Sequence, residues 1–326
     1  MRPDTNARRG RLRLDRRVAG AFAIAIALHL AGTVLIPGYS STFAVRAMLV
    51  LATLLAIASI GQTLVAIVGG IDLSIPFVIG FANVMAAQLS GGGMPFALAC
   101  LLVAAIAAAA GALNGALSAG LSIHPLIVTL GTGTVLQGAV LHWTGGFPSG
   151  SAPASVSAFV SIGGSTGPLP VPPLVPAFVI LAALVALALA RTPFGRRLYA
   201  VGSNPTAAPL ALIRPVAVWS VAFALSALFA AATGILLLGF TGSAYGAVGQ
   251  PYLFQTIAAV VIGGTALVGG RGSYLGTVAG ALVLTEINTL LIGLGLQPAS
   301  VQAALGVLII ALVSLYGREP PVRSTI

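Results

Sequence analysis

The property that most restricts the fold of this chain is a succession of long apolar stretches, separated by short gaps in which its arginines collect. A bilayer core takes about 20 apolar residues per helix, fewer where a helix is broken or re-entrant. Ten stretches meet that condition, at 18–36, 44–68, 75–90, 94–119, 125–142, 173–190, 216–238, 253–268, 274–293 and 299–316. Charged residues make up 6% of the 326, against ~25% in soluble domains. That is too few to give a core of this size a water-facing surface. The expected fold is all-α: a polytopic transmembrane helical bundle of about ten spans. The segments 75–90, 125–142 and 253–268 are short and interrupted by glycine, so half-helices or re-entrant pieces are expected there, with the freed backbone groups facing protein or a cavity.

The chain has no lysine, and all fifteen basic residues are arginine. Arg2, Arg8, Arg9, Arg11, Arg13, Arg16 and Arg17 precede the first apolar stretch. With that end in the cytoplasm, ten spans return the C-terminus to the same side. The connections 69–74, 120–124, 191–215 and 269–273 are then cytoplasmic too. Fourteen of the fifteen arginines face inward in this arrangement, and only Arg46 does not. Such a bias is the positive-inside signature of membrane topology. It argues against the nucleic-acid partner that a net charge of +10 would otherwise invite. The chain divides into a basic cytoplasmic tail (1–17), one transmembrane domain (18–317) and a second cytoplasmic tail (318–326). Gly32-Thr33-Val34 is a poor cleavage site, so the first apolar run is expected to stay as a signal-anchor helix. The longest outer connection, 143–172, is rich in Gly, Pro and Ser and has a length often associated with function.

Reactive constellations are lacking. The acids are Asp4, Asp15, Asp72, Glu286 and Glu319, the histidines His29, His124 and His142, and no two of these have helical metal-ligand spacing. The lone Cys100 has no disulfide partner and reads as a small packing residue. A phosphate-binding P-loop needs a lysine. An enzyme, a metal site or a bound cofactor is therefore not expected, and ATP-driven work would require a motor on another polypeptide. Asp72 reads as a helix cap and His124, before Pro125, as a positional residue at a helix entry.

The most informative connection is Arg191-Thr-Pro-Phe-Gly-Arg-Arg-Leu-Tyr-Ala-Val-Gly-Ser-Asn-Pro-Thr-Ala-Ala208. Asn204 is a good N-cap and Pro205 suits a first helical position, so a short surface helix is expected over 205–213, limited by Pro209. A weak internal echo also stands out. Gly69-Gly70-Ile71-Asp72-Leu73-Ser74 and Gly269-Gly270-Arg271-Gly272-Ser273 each end one span and begin another, and repeated units with interrupted helices are common in transporters.

These segments, with Asn114-Gly115, Ile123–Thr132, Ile257–Thr265 and Ser273–Thr277, resemble in order and over most of the chain the ribose-type permeases of binding-protein-dependent ABC importers. The resemblance implies a complex of two permeases, as a homo- or heterodimer in the bacterial inner membrane. It also implies a separate ATPase subunit that binds the ATP and a periplasmic solute-binding protein that feeds the pair. Phe194, Gly195, Arg196, Tyr199, Gly202, Asn204, Ala207 and Ala208 are the implied ATPase-coupling residues. The chain departs from the family at Pro209, where a basic residue is usual, and at Leu212, where glycine is usual. It departs again at Leu253 and Gln255, where many members have acids.

Polar residues inside the spans are candidates for the substrate path: Asn83, Asn114, Gln137, Gln255, Glu286 and Asn288. Amide side chains both donate and accept, which suits a solute with many hydroxyls, and an acid within a membrane is a functional candidate by default. The expected cargo is a monosaccharide or a similar small polar solute. A branched-chain amino acid or a nucleoside is the alternative within the same class. A proton-coupled carrier working through Glu286, or a purely structural membrane subunit, is the alternative outside it.

Overall fold

The computed structural model describes residues 16–316. The expected tails lie, apart from Arg16 and Arg17 at one end, outside the described residues. Among these are twelve α-helices, one 3-10 turn and no strand beyond a single bridge between Thr166 and Leu169. In order they are α1 (Arg16–Leu35), α2 (Thr42–Ile67), α3 (Ile75–Gly91), α4 (Phe96–Gly120), α5 (Pro125–Thr144), α6 (Ala154–Val160), α7 (Leu174–Arg191), α8 (Pro193–Ser203), the 3-10 turn Ala208–Ala211, α9 (Pro215–Thr241), α10 (Tyr252–Ile262), α11 (Tyr274–Gly293) and α12 (Pro298–Tyr316). Each of the ten apolar stretches forms one helix, and α6 and α8 lie in connections. Seven helices (α1, α2, α4, α5, α7, α9 and α11) are long and apolar enough to cross a membrane, whereas α3, α10 and the Ala299–Leu308 part of α12 are shorter.

The bundle is built around α2, α3 and α9, the three helices richest in buried residues. Close approach is set by glycine. A β-carbon at Gly111 or Gly115 of α4 would collide with the α9 backbone near Phe223 and Trp219, and one at Gly61 of α2 would collide with Ser226. Lipid offers little hydrophobic drive between helices, so backbone-close van der Waals packing of this kind holds them together. α1 packs at the edge, against α11.

Two of the three expected interruptions are present. Residues 70–74 run without helix alongside α9 before α3 begins, with Gly70 near Trp219 and Phe223, and Asp72 bonded to Ser226. Residues 242–251 descend beside α3 before α10 begins. There the Tyr245 N–H donates to Asn83 Oδ1 at 2.8 Å, Gly246 lies against Gly80, and Gly249 against Pro76. Thus α3 and α10 are half-helices that start at nearly the same level and run in opposite directions. The third expectation is corrected: α5 is continuous for 20 residues, Pro125–Thr144. Its glycines keep their amide donors, and glycine loosens a helix without removing a hydrogen bond as proline would. Pro125 instead starts α5 behind His124, whose Nδ1 accepts the Leu126 N–H at 3.4 Å.

Candidate functional site

One end of the bundle is organised by α8. Thr192 caps it, accepting the Gly195 N–H, and Pro193 takes the first helical position. The helix expected at 205–213 is therefore misplaced: the helix is upstream, and Asn204 ends it as the C-cap. The capping chemistry of Asn204 is nevertheless used. Its Oδ1 accepts the Thr206 and Ala207 N–H groups at 3.1 and 3.0 Å, opening a turn that continues into the 3-10 segment Ala208–Ala211. Pro209 lies inside that turn, where a full helix does not develop.

The two Gly-Gly turns of the sequence echo meet under α8. Gly69 and Gly269 both have left-handed φ, +90° and +93°, and both donate to a carbonyl three residues back. The Gly270 N–H donates to the Ile67 carbonyl at 2.8 Å, so the end of α2 is bonded to the α10–α11 turn. Gly202 of α8 sits on that bond. A β-carbon there would overlap the Ile67 oxygen and lie 2.7 Å from Gly270 N. The Tyr199 hydroxyl donates to the Gly272 carbonyl at 2.8 Å, and burial pushes its phenol up from 10.0, which keeps it a donor.

The eight coupling candidates separate into two groups. Gly195, Gly202, Tyr199, Phe194 and the buried Ala208 fasten α8 to the bundle, while Arg196, Asn204 and Ala207 are exposed. Beside the exposed group stands an apolar knob that the sequence reading did not single out as a contact surface. Leu210 is 88% and Leu212 95% exposed. Leu212 also has φ +58°, a left-handed conformation that favours glycine. The departure from the family's glycine noted above was the signal for it.

The second assembly is the α3/α10 junction. Phe77 of α3 packs against Gly133 of α5, and Val140 of α5 approaches Gly246, which places Gln137 beside the junction. Gln137 is exposed and Gln255, on the first turn of α10, half-buried, and neither side chain bonds to any described residue. No side chain caps α3 or α10. The two amides stand at the junction with the aromatic side chains of Phe77, Tyr245 and Phe254, of which Tyr245 and Phe254 are exposed.

The other pathway candidates fall elsewhere. Asn83 is fully buried and occupied, donating to the Gly234 carbonyl at 3.1 Å and accepting from Tyr245. Asn114 is equally buried, between Thr132 and Ser74. Glu286 faces α1, with His29 Nδ1 at 3.1 Å from Oε1 and the Tyr39 hydroxyl donating to Oε2 at 2.8 Å. A cavity of about 170 Å³ adjoins that pair. Asn288 is half-buried, two residues on and so on the opposite side of α11. Asp72 is not the simple helix cap expected: Ser74 occupies the cap position of α3, and Asp72 is buried among donors. Among the described residues no group of three or more metal-ligating side chains is found.

Known proteins resemble the chain throughout this architecture. No solved structure matches it. Among curated proteins, the probable ABC transporter permease protein YphD of Escherichia coli K12 is 38% identical over 90% of this chain and 87% of its own length. The ribose import permease protein RbsC of Bacillus subtilis is 36% identical over 78% of this chain and 79% of its own. The autoinducer 2 import system permease protein LsrC of Shigella flexneri is 32% identical, over 82% and 77%. The resemblance to ribose-type ABC permeases thus holds over the segments that carried it. A model of the family described as branched-chain amino acid transport system/permease component matches residues 44–313, from α2 to α12. The chain is a multi-pass membrane protein belonging to that permease family.

Proposed function

We propose that this protein is the membrane-spanning subunit of an ABC importer that passes a monosaccharide, or a solute of similar size and polarity, into the cytoplasm of a bacterium. A separate subunit hydrolyses the ATP. The observation that carries the reading is the α8 assembly: a helix seated on two chain turns by glycine contacts, with an exposed apolar knob beside it. A surface so rigidly mounted is suited to receiving force from a partner. Arg191, Arg196, Arg197, Arg214 and Arg271 lie at this end, which fits a cytoplasmic location with both tails on the same side. A periplasmic binding protein would deliver solute at the opposite end, where the 145–173 connection lies. A second permease copy, identical or related, would complete the path beside the α3/α10 junction. The relatives named for ribose and autoinducer 2 support a sugar-like cargo.

The test is capture of candidate ATPases by the detergent-solubilised chain, comparing wild type with Gly202→Arg and Ala207→Asp. The first unseats α8, and the second charges the exposed side of the turn. Specific capture lost in both variants is expected, and a folded wild-type chain that captures no ATPase refutes the reading. A second cargo is favoured by one observation, the description of the matching family as a branched-chain amino acid system. Ligand binding to the partner binding protein separates ribose from leucine. A proton-coupled carrier through Glu286 has less support, because that acid faces His29 and Tyr39 rather than the junction.

A further inference from the structure

We propose that Asp72 is a positioning residue that links α8 to the α3/α10 junction, so that movement imposed on α8 is delivered to the solute path. This rests on the permease reading above.

The link 70–74 is where the chain passes from one assembly to the other. At its lower end, Gly69 lies against Val268 and Gly269, beneath Gly202 of α8. At its upper end, Ser74 starts α3. Even fully extended, the four residues 70–73 would reach no more than roughly 14 Å, and Ser74 is already helical in backbone conformation. A peptide of that length without helix would ordinarily absorb movement by local rotation. This one is fastened on every side. Asp72 is 2% exposed and, among the described residues, has no cationic partner. Its Oδ1 accepts the Ser74 N–H at 2.9 Å and the Ser74 hydroxyl at 2.5 Å, while its Oδ2 accepts the Ser226 hydroxyl of α9 at 2.7 Å. Its own N–H donates to Gln62 of α2 at 3.3 Å. The Leu73 N–H donates to Thr129 of α5 at 3.1 Å. Ser74 Oγ accepts from Asn114 of α4 at 3.5 Å, and Asn114 in turn accepts from Thr132 of α5 at 2.5 Å.

Three consecutive residues thus tie α2, α4, α5 and α9 together. Three donors converge on the Asp72 side chain, two from its own turn and one from α9, so one residue both closes the 70–74 turn and ties it to α9. The link is thereby held to move as one body with α3 and α5, which carry Phe77 and Gln137 at the junction.

The experiment uses the full chain with its ATPase and binding protein in liposomes, measuring ATP hydrolysis and solute uptake together. The variants are Asp72→Ala, Asp72→Asn and Ser226→Ala. The expected result for Asp72→Ala is ATPase capture and hydrolysis within about twofold of wild type, with solute moved per ATP reduced about tenfold or more. Asp72→Asn restores most of the ratio, because its oxygen still accepts from Ser74 and its amide can donate to a rotated Ser226 hydroxyl. Ser226→Ala is intermediate. An unchanged ratio in Asp72→Ala overturns the proposal, as does a parallel fall of hydrolysis and uptake in all three variants, which marks a fold role only. Where Asp72→Ala is not recovered from the membrane, the ratio in Ser226→Ala decides in the same way. A wild-type complex without ATP-driven uptake refutes the permease reading itself, whereas coupled wild type with an unaffected Asp72→Ala refutes the link alone.

Discussion

Gly202→Ala probes the α8 assembly with a single methyl group. The added β-carbon overlaps the Ile67 carbonyl oxygen and comes within 2.7 Å of Gly270 N, both backbone atoms with no side-chain freedom to yield. α8 must therefore lift away. Overpacking of a close contact costs about 1–3 kcal/mol. Strain of that size in the seated state corresponds to a roughly 5- to 140-fold rise in the population with α8 displaced, since each 1.4 kcal/mol is tenfold. Hydrogen exchange at the Gly270 amide reads that population directly, and uptake driven by the ATPase reads its consequence. Gly20→Ala is the control, because nothing lies within 4 Å of a β-carbon there and the helix gains propensity. Wild-type exchange at Gly270 together with wild-type uptake in Gly202→Ala would refute the argument that α8 is held by this contact.

Other outcomes follow from the same geometry. Leu212→Gly relieves a left-handed residue and is expected to slow exchange of the Ile213 amide, bonded to Ala208, by an amount equivalent to about 1 kcal/mol. Asn83→Leu removes the side-chain bond to the Gly234 carbonyl, which keeps its helical partner in α9, and the acceptor for the Tyr245 N–H, which is left unpaired; thermal stability is expected to fall by about 1–3 kcal/mol. Gln137→Ala breaks no bond among the described residues, so its melting is expected to be unchanged while solute affinity in uptake assays falls. Because burial raises the Tyr199 phenol, the folded state holds its proton above 10.0 while the unfolded state loses it. Its contribution is thus flat below that pH and declines above it, which α8 exchange measured against pH will show.

Legibility in the sequence differed from element to element. Ten helices could be located because a bilayer-length apolar run is a local, one-dimensional property, and each run became one helix. The half-helices α3 and α10 were signalled by shortness and glycine, whereas the same signal failed at α5. Whether a glycine-rich run breaks depends on what lies beside it: the 242–251 segment that leads into α10 lies against α3 at Gly80 and Pro76. The α8 region was singled out as the coupling segment, but its helix was placed too far along the chain. Asn204 and Pro205 satisfy the rules for a helix start, as do Thr192 and Pro193, and local chemistry alone does not choose between them.

The sequence by itself determined the solvent of this protein, the number of its apolar helices and its permease family. All of these are read from composition, order and run length. The tertiary structure alone decided which polar side chains are free. Asn83, Asn114 and Glu286 looked equivalent to Gln137 and Gln255 as intramembrane polar residues, yet the first three are occupied by backbone, hydroxyl and imidazole partners more than 15 residues away in the chain. Hydrogen-bond satisfaction in a dry interior depends on neighbours brought together by packing, and a linear pattern does not record them.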